Sequence, residues 1–368
     1  MLPSLLTRDI QQGIKQFLLT GFEPSDSFFG GVMQRFVNNE SAWMKGPYLQ
    51  LGLPFRLGES GKTFFTGFTT ENPAYIHQEA AWNRLTSNKL AANTLVATGT
   101  GSGKTECFLY PLLDHVLRAK KEGEQGIKAL VIYPMNALAT DQARRFAEVI
   151  SNTPAFAGMR VGLFVGGQKS SSGDGMIMTN DDVIYDQDTL RKNPPDILLT
   201  NYKMLDYLLI RPKDRKLWVH NTPSTLRYLI VDELHTFDGA QGTDLAMLIR
   251  RLRARLQIPE GHLICAGTSA TLGGAEGMTP LCSYASQIFG TEFTSDSVIT
   301  ENRKSVAEFL ADAPIEYFIN WQDELIPKLD HSIYSSQPAA VKAWFELFFP
   351  ELPSPQNVDD PEWRKTLG

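Results

Sequence analysis

The sequence predicts an α/β protein built on a doubly wound parallel sheet, and two observations predict it. Short apolar, β-branched runs recur along the middle of the chain: TLVAT (94–98), ALVIY (129–133), RVGLFV (160–165), DILLT (196–200), YLIVD (228–232) and HLICAG (262–267). Helical stretches such as LYPLLDHVLRAKKEG and ALATDQARRFAEVI separate several of them. Runs apolar on both faces are strands covered by helices on either side. Their alternation with helices calls for parallel strands joined by crossovers. In that architecture ligands sit beyond the C-terminal ends of the strands, so the residues just after each run should carry the chemistry.

The elements follow in order. Residues 1–70 mix Gly, Pro and Phe with a few apolar stretches and read as an N-terminal extension. Near its end, FFTGFTT (64–70) favours strand over helix. From Pro73, PAYIHQEAAWNRLTS reads as a helix, with Ala80, Ala81, Arg84 and Leu85 at helical spacing. The stretch 168–195 starts polar and Gly/Ser-rich, as a long surface excursion between two strands does. In LAMLIRRLRARL, Leu245, Leu248, Ile249, Leu252 and Leu256 form a buried helical stripe. Arg250, Arg251, Arg253 and Arg255 cover the other faces; they could meet phosphates, but a solvated face is the commoner meaning of such a run. Beyond about 290 the strand signal fades, and SVAEFLADA and AAVKAWFELFF read as helices. The expected division is an extension over 1–70, the α/β domain over 71–295 and a helical segment over 296–368.

Composition narrows the function classes. A hydrophobic share of 42% and a charged share of 21% over 368 residues describe a soluble chain with room for two or three folding units. Cys107, Cys265 and Cys282 are too few and too scattered for a disulfide framework or a cysteine zinc site, in keeping with a reducing cytoplasm. No apolar run is long enough to span a bilayer, and MLPSLLTRDIQQG lacks the features of a secretion signal. A net charge of −6 rules out a global basic field, so any nucleic-acid surface is local.

Gly-Lys-Thr occurs twice, in LGESGKTFF (57–65) and in LVATGTGSGKTECFLYP (95–111). A phosphate loop needs backbone N–H groups to wrap the anion, a lysine for the outer phosphates and a hydroxyl for Mg²⁺. It also needs a strand before it and a helix after it. The second copy meets these demands with Gly99, Gly101, Gly103, Lys104 and Thr105. It departs in one place, since the strict pattern has Gly where Thr98 stands. The first copy has only two residues between Gly58 and Gly61, too few to wrap a phosphate, and reads as a turn with a surface Lys62. YLIVDELH then supplies Asp232 and Glu233 at a strand end, an acid to hold Mg²⁺ and a base to activate water.

The segments TGTGSGKTE, YPMNALATDQ, LLTNYKML, VDELH and TSATL stand in this order over residues from about 70 to 290. They resemble the motifs of superfamily 2 DExH-type helicases. GPYLQLGLPF and HTFDGAQGTDLAMLIRRLRARL narrow the resemblance to the YprA-like bacterial branch. Within it, the sequence is similar to the large helicases of the Druantia anti-phage system, with DISARM helicases a near alternative. The resemblance implies a RecA-like first motor domain of an ATP-driven DNA helicase or translocase, with ATP and Mg²⁺ as cofactors. It also implies single-stranded or duplex DNA, and other defence proteins, as partners. Gln78 then matches the glutamine that reads adenine. Thr98, Gly99, Thr100, Gly101, Ser102, Gly103, Lys104 and Thr105 match the phosphate loop, with Thr105 and Asp232 on the metal and Glu233 as catalytic base. His235, Thr268, Ser269, Ala270 and Thr271 match elements that couple ATP state to domain closure. Pro134, Asn136, Ala137, Thr200 and Asn201 match nucleic-acid contacts.

Such motors place ATP between two RecA-like domains, and the second supplies arginines through a Gln-x-x-Gly-Arg-x-Gly-Arg signature. No such stretch occurs in the chain. The expectation is therefore the N-terminal part of a longer motor, binding ATP weakly and hydrolysing it poorly alone. The alternative is a nucleotide-dependent scaffold or switch that does not unwind strands, against which Glu233 argues because a pure switch needs no base.

Overall fold

The apolar runs become strands of one sheet in the computed structural model. The structure describes residues 3–22, 24–39, 43–44, 52–86, 91–167, 175–269, 277–310, 323–330 and 333–350. The chain divides into two units, one joining Met1–Pro54 to Ser305–Gly368 and the other running Phe55–Lys304. The first unit contributes helices α1 (Pro3–Gly21) and α2 (Val32–Asn38), which lie beside each other.

The second unit starts its regular structure with α3 (Ile76–Leu85), β1 (Thr94–Ala97), α4 (Lys104–Lys121), β2 (Ala129–Tyr133) and α5 (Asn136–Asn152). It continues with β3 (Val161–Phe164), α6 (Gln187–Lys192), β4 (Ile197–Asn201), α7 (Tyr202–Ile210) and β5 (Tyr228–Val231). Then come α8 (Gly239–Leu256), β6 (Ile264–Ser269), α9 (Met278–Phe289) and β7 (Val298–Thr300). Back in the first unit lie α10 (Val306–Leu310) and α11 (Gln337–Phe348). Among the described residues no helix is long and apolar enough to cross a membrane.

All seven strands run parallel in the order β3-β4-β2-β5-β6-β1-β7. Side chains alternate across each strand, so each central strand feeds two cores. Val131, Ile230 and Ala266 face one layer with Phe108, Leu112 and Phe146 of α4 and α5. Leu130, Leu229 and Cys265 face the other with residues of α7, α8 and α9. The stripe Leu245, Leu248, Ile249, Leu252 and Leu256 is buried, as its spacing predicts.

Three local expectations are corrected. FFTGFTT forms bends, not a strand: Phe65 and Phe68 stack at 4.7 Å and enter the core beside Trp82, so burial of the rings decides the path. The second half of the 168–195 stretch is not a surface excursion. Ile184 bridges Gly162, and Val183, Ile184 and Leu190 are buried. The strand signal does not end near 290, because Val298–Thr300 adds an edge strand to β1. With only three residues it is too short to show alternation.

Three of the four arginines on α8 have structural partners. Arg250 donates to the Gln287 carbonyl and Arg253 to that of Gly290, so two cations satisfy the C-terminal end of α9. Arg251 pairs with Asp206.

His115 on α4 sits edge-on to the Tyr228 ring, and its enclosed Nε2 has no hydrogen-bond partner among the described residues. Burial, then the charges of Arg118, Arg227 and Lys128, push its pKa down to about 3. The unfolded chain takes up a proton near the ordinary 6.5, whereas the folded chain resists it until about 3. Stability contributed here is therefore present above that window and is lost as pH falls through it. In urea titrations across the acid range, His115→Gln should show a shallower loss of stability than the unsubstituted chain. Parallel losses would show that His115 does not titrate this way.

Candidate functional site

The loop between β1 and α4 is shaped by two glycines in the left-handed region, Gly101 at φ 77° and Gly103 at φ 76°. At Gly103 the positive φ calls for glycine; a Cβ there would also lie 2.4 Å from the Gln78 Nε2 tip and displace it from its bond to the Gly103 carbonyl. The loop ends at Lys104, the first residue of α4, and so presents the positive end of a long helix. The departure at Thr98 has a physical reason. Its buried Oγ1 lies 2.6 Å from Ser102 Oγ and closes the loop with a bond that glycine cannot make. Thr100 is exposed at the tip.

Beside the loop, Gln78 accepts from Tyr75 N at 2.9 Å and donates to the Gly103 carbonyl at 3.2 Å. It lines a cleft of about 370 Å³ with Tyr75, Trp82, Gly101, Gly103 and Glu106.

Because β1, β6 and β5 are neighbours, their C-terminal ends bring together residues far apart in sequence. Lys104 Nζ lies 3.3 Å from Glu233 Oε1. Thr268 donates its hydroxyl proton to Asp232 Oδ1 and accepts from Glu233 N at 2.9 Å, so one side chain from β6 orders both acids. Burial pushes the Asp232 carboxyl up in pKa; the Thr268 bond opposes it, the Glu233 charge adds to it and Lys104 opposes it. Glu233 has φ 50°, a conformation rarely adopted by a side-chain-bearing residue outside sites that hold it in place. His235 Nδ1 stands 3.4 Å from both Glu233 Oε2 and Ser269 Oγ. Ala270 and Thr271 lie outside the described residues.

A second cluster forms at the ends of β2 and β4. Asn201 Nδ2 donates to Asn136 Oδ1 at 2.5 Å, and Asn136 Nδ2 donates to the Gly166 carbonyl at 3.1 Å. Asn201 also caps α7 by accepting from Met204 N at 2.7 Å. Buried Thr200 is turned inward onto the Phe164 carbonyl, so its hydroxyl steadies the strand end. Met135, Asn136 and Ala137 are exposed and Pro134 is partly so, forming an open ledge.

The other Gly-Lys-Thr also wraps an anion, but one of the chain's own. The N–H groups of Glu59 and Ser60 both donate to the Glu79 carboxylate, at 3.2 and 2.7 Å. Lys62 is exposed there, as a turn predicts.

Sequence reasoning passed over three residues that touch the main loop. Gln142 accepts from the Thr105 hydroxyl at 3.0 Å, His77 Nε2 lies 2.8 Å from the Ser102 carbonyl, and Glu301 accepts from Gly99 N at 2.8 Å. His77 adjoins the recognised Gln78. Gln142 closes the segment YPMNALATDQ, but its contact with Thr105 depends on the packing of α5; Glu301 carries no sequence signal, because only the pairing of β7 brings it here.

Residues 75–277 match the DEAD/DEAH box helicase family. The chain belongs to that family. Among curated relatives of this DEAD/DEAH box chain, it is 27% identical to Druantia protein DruE of Escherichia coli over 72% of its own length and 20% of that protein. It is 29% identical to the ATP-dependent helicase Lhr-Core of Methanothermobacter thermautotrophicus, covering 55% of the chain and 22% of the relative. The uncharacterized ATP-dependent helicase YprA of Bacillus subtilis is 30% identical over 54% of the chain and 23% of YprA. The chain thus spans about a fifth of the length of these relatives. Among solved structures, the DUF1998 helicase MrfA bound to DNA covers 63% of the chain, with 28% of MrfA matched, at 23% identity and a TM-score of 0.45.

Thr268 is the joint of the acidic pair. Thr268→Val should keep the fold but cost roughly 1–3 kcal/mol, lowering the melting temperature by about 2–10 °C, because a buried carboxylate and an N–H both lose a partner. An unchanged melting curve would mean that the two acids do not depend on it.

Proposed function

We propose that Phe55–Lys304 is the ATP-binding first motor domain of a DNA helicase or translocase, working in anti-phage defence. One observation carries this reading: Lys104, Asp232, Glu233 and Thr268 converge at the ends of three adjacent strands, next to a glycine-shaped helix N-terminus. The likeness to Druantia protein DruE over 72% of the chain supports the defence role.

In this reading the loop N–H groups and the start of α4 take the phosphates, and the base enters the cleft beside Tyr75 and Gln78. Lys104 moves from Glu233 to a phosphate oxygen. That exchange frees the Glu233 carboxylate to accept a proton from the attacking water. The Thr105 hydroxyl and Asp232, an oxygen donor set of the kind Mg²⁺ prefers, would hold the ion. When bound, Mg²⁺ would supply charge neutralisation at the phosphates. His235, standing between Glu233 and Ser269, reports the state of the site towards a second motor domain. The ledge of Pro134, Asn136 and Ala137, with Thr200 and Asn201 behind it, orders the strand ends against a nucleic-acid backbone. Catalytic arginines come from that second domain, so the chain alone turns ATP over slowly.

MgATP titration of the chain tests this reading. Lys104→Ala should weaken binding at least tenfold. Glu233→Gln should retain binding but lose turnover, measured with and without single-stranded DNA. Binding indifferent to Lys104 would refute the assignment.

A further inference from the structure

We infer that Glu301, together with Arg303 and Phe55, positions the nucleotide-binding loop. The inference rests on the nucleotide reading above and adds residues outside the motifs, with Phe55 before them and Glu301 and Arg303 after them.

The parallel register of β7 on β1 pairs Ala97 with Thr300, which sets Glu301 alongside the start of the loop. One carboxylate oxygen of Glu301 accepts from Gly99 N at 2.8 Å. The other accepts from Arg303 Nε at 2.8 Å. The Arg303 guanidinium in turn lies 4.0 Å from the centre of the Phe55 ring. Phe55 and Arg303 are joined as a backbone bridge, so the stack is set by main-chain pairing. The other side of the Phe55 contact set includes His77, whose ring centre is 5.4 Å away. His77 Nε2 returns to the loop at the Ser102 carbonyl, 2.8 Å distant. The contacts therefore close a circuit: Gly99, Glu301, Arg303, Phe55, His77 and Ser102. The two sides of the glycine-rich turn are tied to one cluster.

Such a circuit has a physical use. Glycines give the loop its shape but also its freedom, and a phosphate cradle works best when its N–H groups need no reorganisation on binding. A carboxylate next to an anion site is tolerable only if its charge is balanced. Arg303 does this, and its hydrogen bond holds the Glu301 carboxyl below the usual carboxylate range. The same pairing predicts that loss of Glu301 removes a tether without relieving much repulsion.

The test is MgATP affinity of the full 368-residue chain, measured by calorimetry, beside the melting temperature without nucleotide. Glu301→Ala should weaken binding on the order of tenfold, the loss of one charge-assisted bond. Glu301→Gln keeps an oxygen for Gly99 N but turns an amide N–H₂ towards Arg303 Nε, so it should weaken binding by less than Glu301→Ala, about threefold. Arg303→Gln should fall between them and remains available if Glu301→Ala does not fold. A residue that only stabilised the fold would lower the melting temperature of Glu301→Ala and leave the affinity of the folded protein unchanged. Lys104→Ala, run in parallel, separates the two claims. If Lys104→Ala binds normally, the nucleotide reading fails. If it loses binding while Glu301→Ala and Arg303→Gln bind normally, the positioning role is overturned. Tighter binding by Glu301→Ala would overturn it as well, because the carboxylate would then be competing with phosphate.

Discussion

Parallel pairing of β1, β6 and β5 is the constraint on which the rest of the site depends. A parallel ladder sends every strand's C-terminal end to the same edge. Once these three strands are neighbours, the loop after Ala97, the acids after Val231 and the hydroxyl of Thr268 must share a few ångströms of space. The register is held by burial on both faces, since slipping any of these strands by one residue would exchange its two apolar sides and misplace the side chain at its end. Chemistry at the edge thus rests on packing in the interior.

The edge itself is built against local preference. Asp232 is a buried carboxyl and Glu233 takes a left-handed backbone. Each is unfavourable alone, and each is balanced by a specific partner. Thr268 orders both acids, Lys104 faces Glu233, and the Gln78 amide is satisfied by Tyr75 and Gly103. Features of this kind persist where surrounding structure over-determines them, and here the surrounding structure is the sheet. The arginines of α8 show the opposite case. Their clustering could suit phosphates but more commonly means a solvated face, and here Arg250 and Arg253 cap α9 and Arg251 is paired.

Much of this was legible in the sequence. The six buried runs and the stripe on α8 are strong periodic signals, because a segment covered on both faces or along one stripe has no alternative composition. The phosphate loop and the Asp-Glu pair were legible because the chemistry demands those residue types at those spacings. β7 was not, because three residues are too few to show a period. The aromatic bends at Phe65 and Phe68 were misread because rings favour strands and cores alike. The burial of Val183 and Ile184 escaped notice because the polar stretch before them dominates the composition.

By itself the sequence determined the six central strand segments and several of the helices between them, which Gly-Lys-Thr is preceded by a strand and followed by a helix, and which acids could serve it. These are local properties, set by periodicity, by glycine's backbone freedom and by the reach of a side chain. Only the tertiary structure decided that Thr268 bridges Asp232 and Glu233, that Gln142 meets Thr105, and that Glu301 grips Gly99 across 202 residues of chain. Those contacts depend on strand order and register, and strand order arises from the competition of all the apolar faces for cover, which no short window of sequence contains.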